Sequence, residues 1–167
     1  MADSHTVSVL LDDGLLSMNR AMGALRRRRL PVERFALTPA GSGEARLTFV
    51  IPADAAAAER VARQFAKLVG VKSVAVFPGD QPASQELALI RLREPGGLRA
   101  ELFRVVARFP ATVVSESGEG VVVRVAGPGA VVQSLIASLE SFEILDVARS
   151  GPITLGATSF TPEEVAS

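Results

Sequence analysis

The chain has no cysteine, no tryptophan and no tyrosine, and His5 is its only histidine. Without cysteine it can form neither a disulfide framework nor a thiolate metal site, and it has no thiol nucleophile; such a composition suits a reducing cytosol. One histidine, near an end expected to fray, leaves no material for a histidine metal cluster or a Ser-His-Asp triad. Charge of one sign is not in excess either, since Lys plus Arg and Asp plus Glu both number 18. No net field therefore draws the chain to nucleic acid or to an acidic membrane. The missing Trp and Tyr also remove platforms on which bases would stack. No apolar run approaches the roughly 20 residues of a membrane span. The opening MADSHT has neither a basic leader nor an apolar core, so a cytoplasmic location is expected.

What the chain does have is apolar residues in two alternating rhythms. Its 167 residues, 48% hydrophobic, suffice for one large domain or two small ones. Val7, Val9 and Leu11 alternate as in a strand, and Leu15, Met18, Met22 and Leu25 then follow at helical spacing, which Pro31 stops. Phe35 and Leu37, a PAGSG turn, and Ala45, Leu47, Phe49 and Ile51 read as a hairpin. Asp54 caps a second stripe of Ala58, Val61, Phe65 and Leu68, which Gly70 ends, and Val71, Val74 and Val76 make a last strand. After PGDQPAS the same order returns. ELALIRL is a strand, Leu98, Leu102, Val105 and Phe109 stripe a helix, and a hairpin turns around Ser117 to Gly120. Val132, Leu135, Leu139 and Phe142 stripe the last helix before the strand ILDVA.

The expected fold class is α+β: two ferredoxin-like βαββαβ domains, each an antiparallel sheet with both helices on one face. The divisions read as residues 1–79, a linker over 80–84, a second domain over 85–156 and a flexible tail over 157–167. Halves of this size are marginal alone, and each sheet has a helix-free face, with Thr48, Val50 and Val122 too mixed for plain solvent. Oligomerisation is the expectation.

Few residues suggest chemistry. Arg26 to Arg29 could bind anions, but cations in the last turn of a helix complement its dipole. Asp12 and Asp13 pair at the first turn, where Asp13 would cap the helix, or Ser17 if the helix starts later. Glu163 and Glu164 pair in the tail. GPG at 127–129 lacks the Lys-Ser/Thr ending of a phosphate loop, and EPGGLRAEL at 94–102 is of the same kind. No catalytic residue, metal site or cofactor is expected.

The segments VSVLLDDG, LSMNRAMGALRRR and PVERFALTP, with Arg20 and Gly23 in the helix, resemble the amino-terminal ACT domain of the acetolactate synthase small-subunit family. LIASLESFEILDVARSGPITLG, and within it Val147 to Gly151, resembles that family's carboxy-terminal domain. The resemblance implies a non-catalytic subunit that binds and activates a thiamine-diphosphate-dependent large subunit. It implies feedback by valine or another branched-chain amino acid, and a homodimer whose ACT sheets join across a two-fold axis with effector sites at the seam. On this chain those sites would use Asp13, Gly14, Leu15, Leu16 and Ser17 from the opening turn and Leu30, Pro31 and Val32 before the next strand. The family's Asn and Gly fall on Asp13 and Leu16, and Pro31 replaces a second Asn. Lost polar partners cost about 1–3 kcal/mol each, so valine sensing is expected to be weakened, altered or lost while large-subunit binding persists. The alternatives are a stand-alone tandem ACT sensor for another enzyme, a ferredoxin-like nucleic-acid binder and, last, a catalyst.

Overall fold

A computed structural model describes residues 4–78, 84–93, 96–118 and 120–154, the side chain of Leu15 excepted. The chain forms two compact units, one of Met1–Ala83 with Gly151–Ser167 and one of Ser84–Ser150. The expected linker over 80–84 lies outside the described residues except for Ser84, which opens a strand. The expected tail over 157–167 also lies outside them.

In the first unit β1 (His5–Leu11), α1 (Gly14–Arg27), β2 (Arg34–Gly41), β3 (Glu44–Ile51), α2 (Ala55–Ala66) and β4 (Val71–Pro78) follow in ferredoxin-like order. The antiparallel sheet runs β2-β3-β1-β4. Val7, Val9 and Leu11 of β1 and Leu47, Phe49 and Ile51 of β3 share the helix side and are buried, as their alternation predicts. Phe65 of α2 meets Phe49 at 5.3 Å between ring centroids, tilted by 46°. A side chain of that kind contributes roughly 1.5–3 kcal/mol on burial. The turn Gly41–Ser42–Gly43 has positive φ throughout, which reverses the chain between β2 and β3.

Three expectations are corrected here. His5 is not frayed: it lies buried in β1, its Nδ1 2.8 Å from the Ala53 carbonyl. The most buried line of α1 is Ser17, Ala21, Ala24 and Leu25, with Met18 and Met22 only partly buried beside it. Small side chains let the helix backbone approach the sheet, and large apolar ones then flank the contact, so hydrophobicity alone misplaces the stripe. Helix α1 also ends before Pro31, with Arg28 as C-cap and Arg29 at φ 50.

The second unit repeats the plan with β5 (Ser84–Leu92), α3 (Arg99–Val106), β6 (Ala111–Ser117), β7 (Gly120–Gly127), α4 (Gly129–Ser138) and β8 (Ile144–Arg149), its sheet running β6-β7-β5-β8. Ile90, Leu92, Leu102, Val123, Leu135 and Leu139 are fully buried in its core. Leu98, expected on the α3 stripe, instead ends a 3-10 turn over Gly96–Leu98 and is exposed. Among the described residues no helix is long and apolar enough to cross a membrane.

Candidate functional site

The turn from β1 into α1 is held from three sides. The Asp12 amide donates to the Gly70 carbonyl (2.9 Å) and the Gly14 amide to the Gly43 carbonyl (3.0 Å). The Asp12 carboxylate folds back over the start of α1: its Oδ1 accepts from the Asp13 amide at 2.6 Å and from the Ser17 hydroxyl at 2.8 Å. Ser17 is buried, and Gly70 behind it has φ 91. A Cβ at position 70 would fall on the Ser17 hydroxyl, so this packing requires glycine there. The Ser17 hydrogen bond is the first cause that lowers the Asp12 pKa, with burial opposing it and Lys72 adding a weaker pull in the same direction.

These contacts reassign the capping expectation. Asp13 occupies the N-cap position with extended backbone, but its side chain makes no capping bond; the carboxylate at the helix start belongs to Asp12. A helix N-terminus attracts anions because its first amides are unpaired and its dipole is positive. Here an internal carboxylate takes that place. Asp12, Gly43 and Gly70 are the site residues that sequence reading missed, since their contacts join segments up to 58 positions apart in the chain.

The remaining expected site residues are placed as follows. Leu16 lies on the first turn of α1 and is 52% exposed. Beside the turn a shallow, mostly apolar groove of about 440 Å³ runs along Gly14, Leu37, Pro39, Gly43 and Ala45. Leu30 and Val32 pack against the core at the opposite end of α1, and Pro31 is exposed between them. The 14 residues of α1 span about 20 Å. The sheet register agrees with this separation. Leu11 pairs with Ala45 and Val71 at one end of the sheet, whereas His5 pairs with Ile51 and Arg34 with Val50 at the other. Within one chain, therefore, Asp13–Ser17 and Leu30–Val32 are not brought together.

The edge strand β2 carries Phe35 and Leu37 in register with Phe49 and Leu47, hence on the helix side, yet they are 56% and 40% exposed. β2 stands at the end of the sheet order, with β3 as its neighbour.

In the second unit, the segment Val147–Ser150 clasps β8 to β5. Arg149 makes a two-pronged ion pair with the buried carboxylate of Glu86 (2.5 and 2.9 Å) and a third bond to Gln133 (3.1 Å). The Leu87 amide donates to the Ser150 hydroxyl at 3.0 Å, and the Ser150 amide returns a bond to the Leu87 carbonyl at 2.9 Å. Pro128 precedes α4 without an amide to donate, and its carbonyl accepts from Val131 and Val132. Glu143 is held below the usual carboxylate range by its bond to Arg93, whose own pKa rises in return. Among the described residues no three His, Asp or Glu side chains group as metal ligands would.

A family model described as the small subunit of acetolactate synthase matches residues 85–158. The acetolactate synthase small subunit of Mycobacterium leprae is 31% identical over 156 residues, spanning 91% of this chain and 90% of the relative. That of Mycobacterium bovis is 29% identical over 153 residues, with 91% of each chain covered. Among solved structures, the acetolactate synthase small subunit of Thermotoga maritima superposes with a TM-score of 0.74 at 25% identity, covering 91% of this chain and 96% of that one. The similarity to these small subunits covers about nine-tenths of the chain, and the chain belongs to the acetolactate synthase small-subunit family, the regulatory and not the catalytic part of that enzyme.

Proposed function

We propose that this chain is the cytoplasmic regulatory partner of a thiamine-diphosphate-dependent acetolactate synthase large subunit, which it binds and activates, and that it works as a homodimer with blunted sensing of branched-chain amino acids. Family membership over nine-tenths of the chain carries the first part. The dimer reading rests on β2. A strand at the end of its sheet with exposed Phe35 and Leu37 invites a partner strand, and the half-exposed Leu16 adds apolar surface on α1.

The geometry of one chain supports a two-fold arrangement in particular. Antiparallel pairing of two β2 strands sets the Gly41 end of one copy beside the Arg34 end of the other. Asp13–Ser17 of one copy then lies near Leu30–Val32 of its mate, joining the two parts that a single chain keeps about 20 Å apart. Such a seam is where an amino-acid effector would enter.

Blunted sensing rests on Asp12. Its carboxylate takes the Asp13 amide, Gly43 takes the Gly14 amide, Leu16 stands exposed on the first turn of α1, and Pro31 has no amide to offer. An effector carboxylate would meet a like charge and two amides already bonded.

The test is reconstitution with the cognate large subunit. Acetolactate formation is expected to rise on addition of this chain and to change little with valine, leucine or isoleucine. Titration calorimetry of the isolated chain with the same three amino acids checks the sensing claim directly, and a micromolar valine constant would contradict it.

A further inference from the structure

The chain is neutral as a whole, but its charge is unevenly placed. Residues 4–78 carry eleven Lys and Arg against six Asp and Glu, whereas residues 84–150 carry seven against eight. Most of the surplus lies on the helix layer of the first unit. Helix α1 and its exit present Arg20 and the run Arg26–Arg29, all exposed; α2 presents Arg60, Arg63 and Lys67, also exposed. Against these eight cations the same two segments contain one acid, Glu59, which is paired with Arg63 at 3.3 Å. The guanidinium of Arg28 reaches the Gln64 side chain, so the outer surfaces of the two helices adjoin in one patch.

Helix dipoles account for only part of the patch: Asp12 and Asp54 stand at the starts of α1 and α2, and Arg26, Arg27 and Arg63 lie in last turns where a cation is favoured. Arg20 and Arg60 stand away from the last turns altogether. The other acids of these residues, Asp12, Asp13, Glu33, Glu44 and Asp54, sit at turns and on β3. Mutual repulsion among eight cations on 29 helical and flanking positions is a cost that folding alone gives no reason to bear.

We infer that the basic outer face of α1 and α2 is an electrostatic docking surface, and that its occupant is an acidic face of the large catalytic subunit. This rests on the partnership proposed above. Arg-rich, solvated patches of this kind speed encounter and fix orientation against a surface of opposite charge. A protein occupant is favoured over nucleic acid because the patch has no aromatic side chain interleaved among its cations, and the chain as a whole has no net positive charge to hold a polyanion.

The test measures association of the full chain with its large subunit by stopped flow or surface capture, at low and physiological salt. The double variant Arg60→Glu/Lys67→Glu, on a helix remote from the β2 edge, is expected to associate about tenfold more slowly at low salt and to lose most of the salt dependence. Arg26→Glu/Arg27→Glu serves as an independent second variant, and Arg60→Lys/Lys67→Arg is expected to behave as wild type. Thermal unfolding confirms that each variant is folded. Wild-type binding with unchanged rates in both charge-reversed variants overturns this inference while leaving the partnership intact. No binding by the wild-type chain overturns the partnership itself. Retention of a duplex RNA or DNA at physiological salt, abolished by the same reversals while large-subunit association stays the same, would assign the patch to nucleic acid and overturn the inference.

Discussion

The two units run through the same order of elements, yet they finish the helix-free faces of their sheets in opposite ways. In the first, Thr6 and Ser8 of β1, Thr48 and Val50 of β3, and Ala75 and Phe77 of β4 occupy that face, and all are buried. In the second, Leu87 and Leu89 of β5 occupy it and are 41% and 40% exposed, beside exposed Arg124 and Ala126 of β7. The face bearing hydroxyls is covered and the face bearing leucines is open. Hydropathy therefore did not decide which side meets solvent; a threonine or serine tolerates burial when the strand around it is fully paired, and single leucines on a surface are ordinary. Gly151, grouped with the first unit, lies against Phe35 and Ala36 at φ 74, where a side chain would strike the Phe35 backbone.

The comparison can be broken at its strongest points first. Arg149→Ala is expected to cost about 3–5 kcal/mol, because it takes the guanidinium charge and its two hydrogen bonds away from the buried Glu86 carboxylate; urea unfolding would read it, and a cost under 1 kcal/mol would deny the clasp its structural role. Thr48→Lys should cost a comparable ~3–5 kcal/mol by placing an unpaired charge on the covered face. Gly70→Ala follows, at about 2–4 kcal/mol, combining left-handed backbone strain with displacement of Ser17, and it should loosen the amides of Asp13 and Ser17 in hydrogen exchange.

Acid should act on the first turn in a defined direction. The Asp12 pKa is lowered in the folded chain, chiefly by the Ser17 hydroxyl, so its contribution is complete above the ordinary carboxylate value of about 3.9 and is lost as pH falls through the depressed folded value. Between pH 5 and pH 2.5 the protection of the Asp13 and Ser17 amides, taken relative to their intrinsic exchange rates, should fall on this schedule, and Asp12→Asn should flatten it. The smallest effect sharpens the comparison from the other side. Leu89→Lys, on the open face, is expected within about 0.5 kcal/mol of wild type, and a larger loss would mean that this face is covered in solution.

Much of the architecture was legible because periodicity reports burial. Val7, Val9 and Leu11, or Leu47, Phe49 and Ile51, alternate because one side of each strand packs under helices. The glycines around Ser42 announced a hairpin, and the repeated order announced two units. The buried line on α1 was not legible, since Ser17, Ala21 and Ala24 are chosen for closeness to the sheet and not for hydrophobicity. The site was half legible. Its turn could be located, but the capping carboxylate was assigned to Asp13, because adjacent acids look alike until the positions of Ser17 and Gly70 distinguish them.

Taken alone, the order of residues determined the element types, the twofold repetition and the family, because each depends on local spacing or on similarity read position by position. Only the tertiary structure decided that Asp12 occupies the start of α1, that Arg149 neutralises Glu86, and that a hydroxyl-bearing sheet face is covered while a leucine-bearing one is open. Those outcomes depend on groups far apart in the chain coming within a few ångströms, where desolvation and hydrogen bonding act and sequence spacing carries no information.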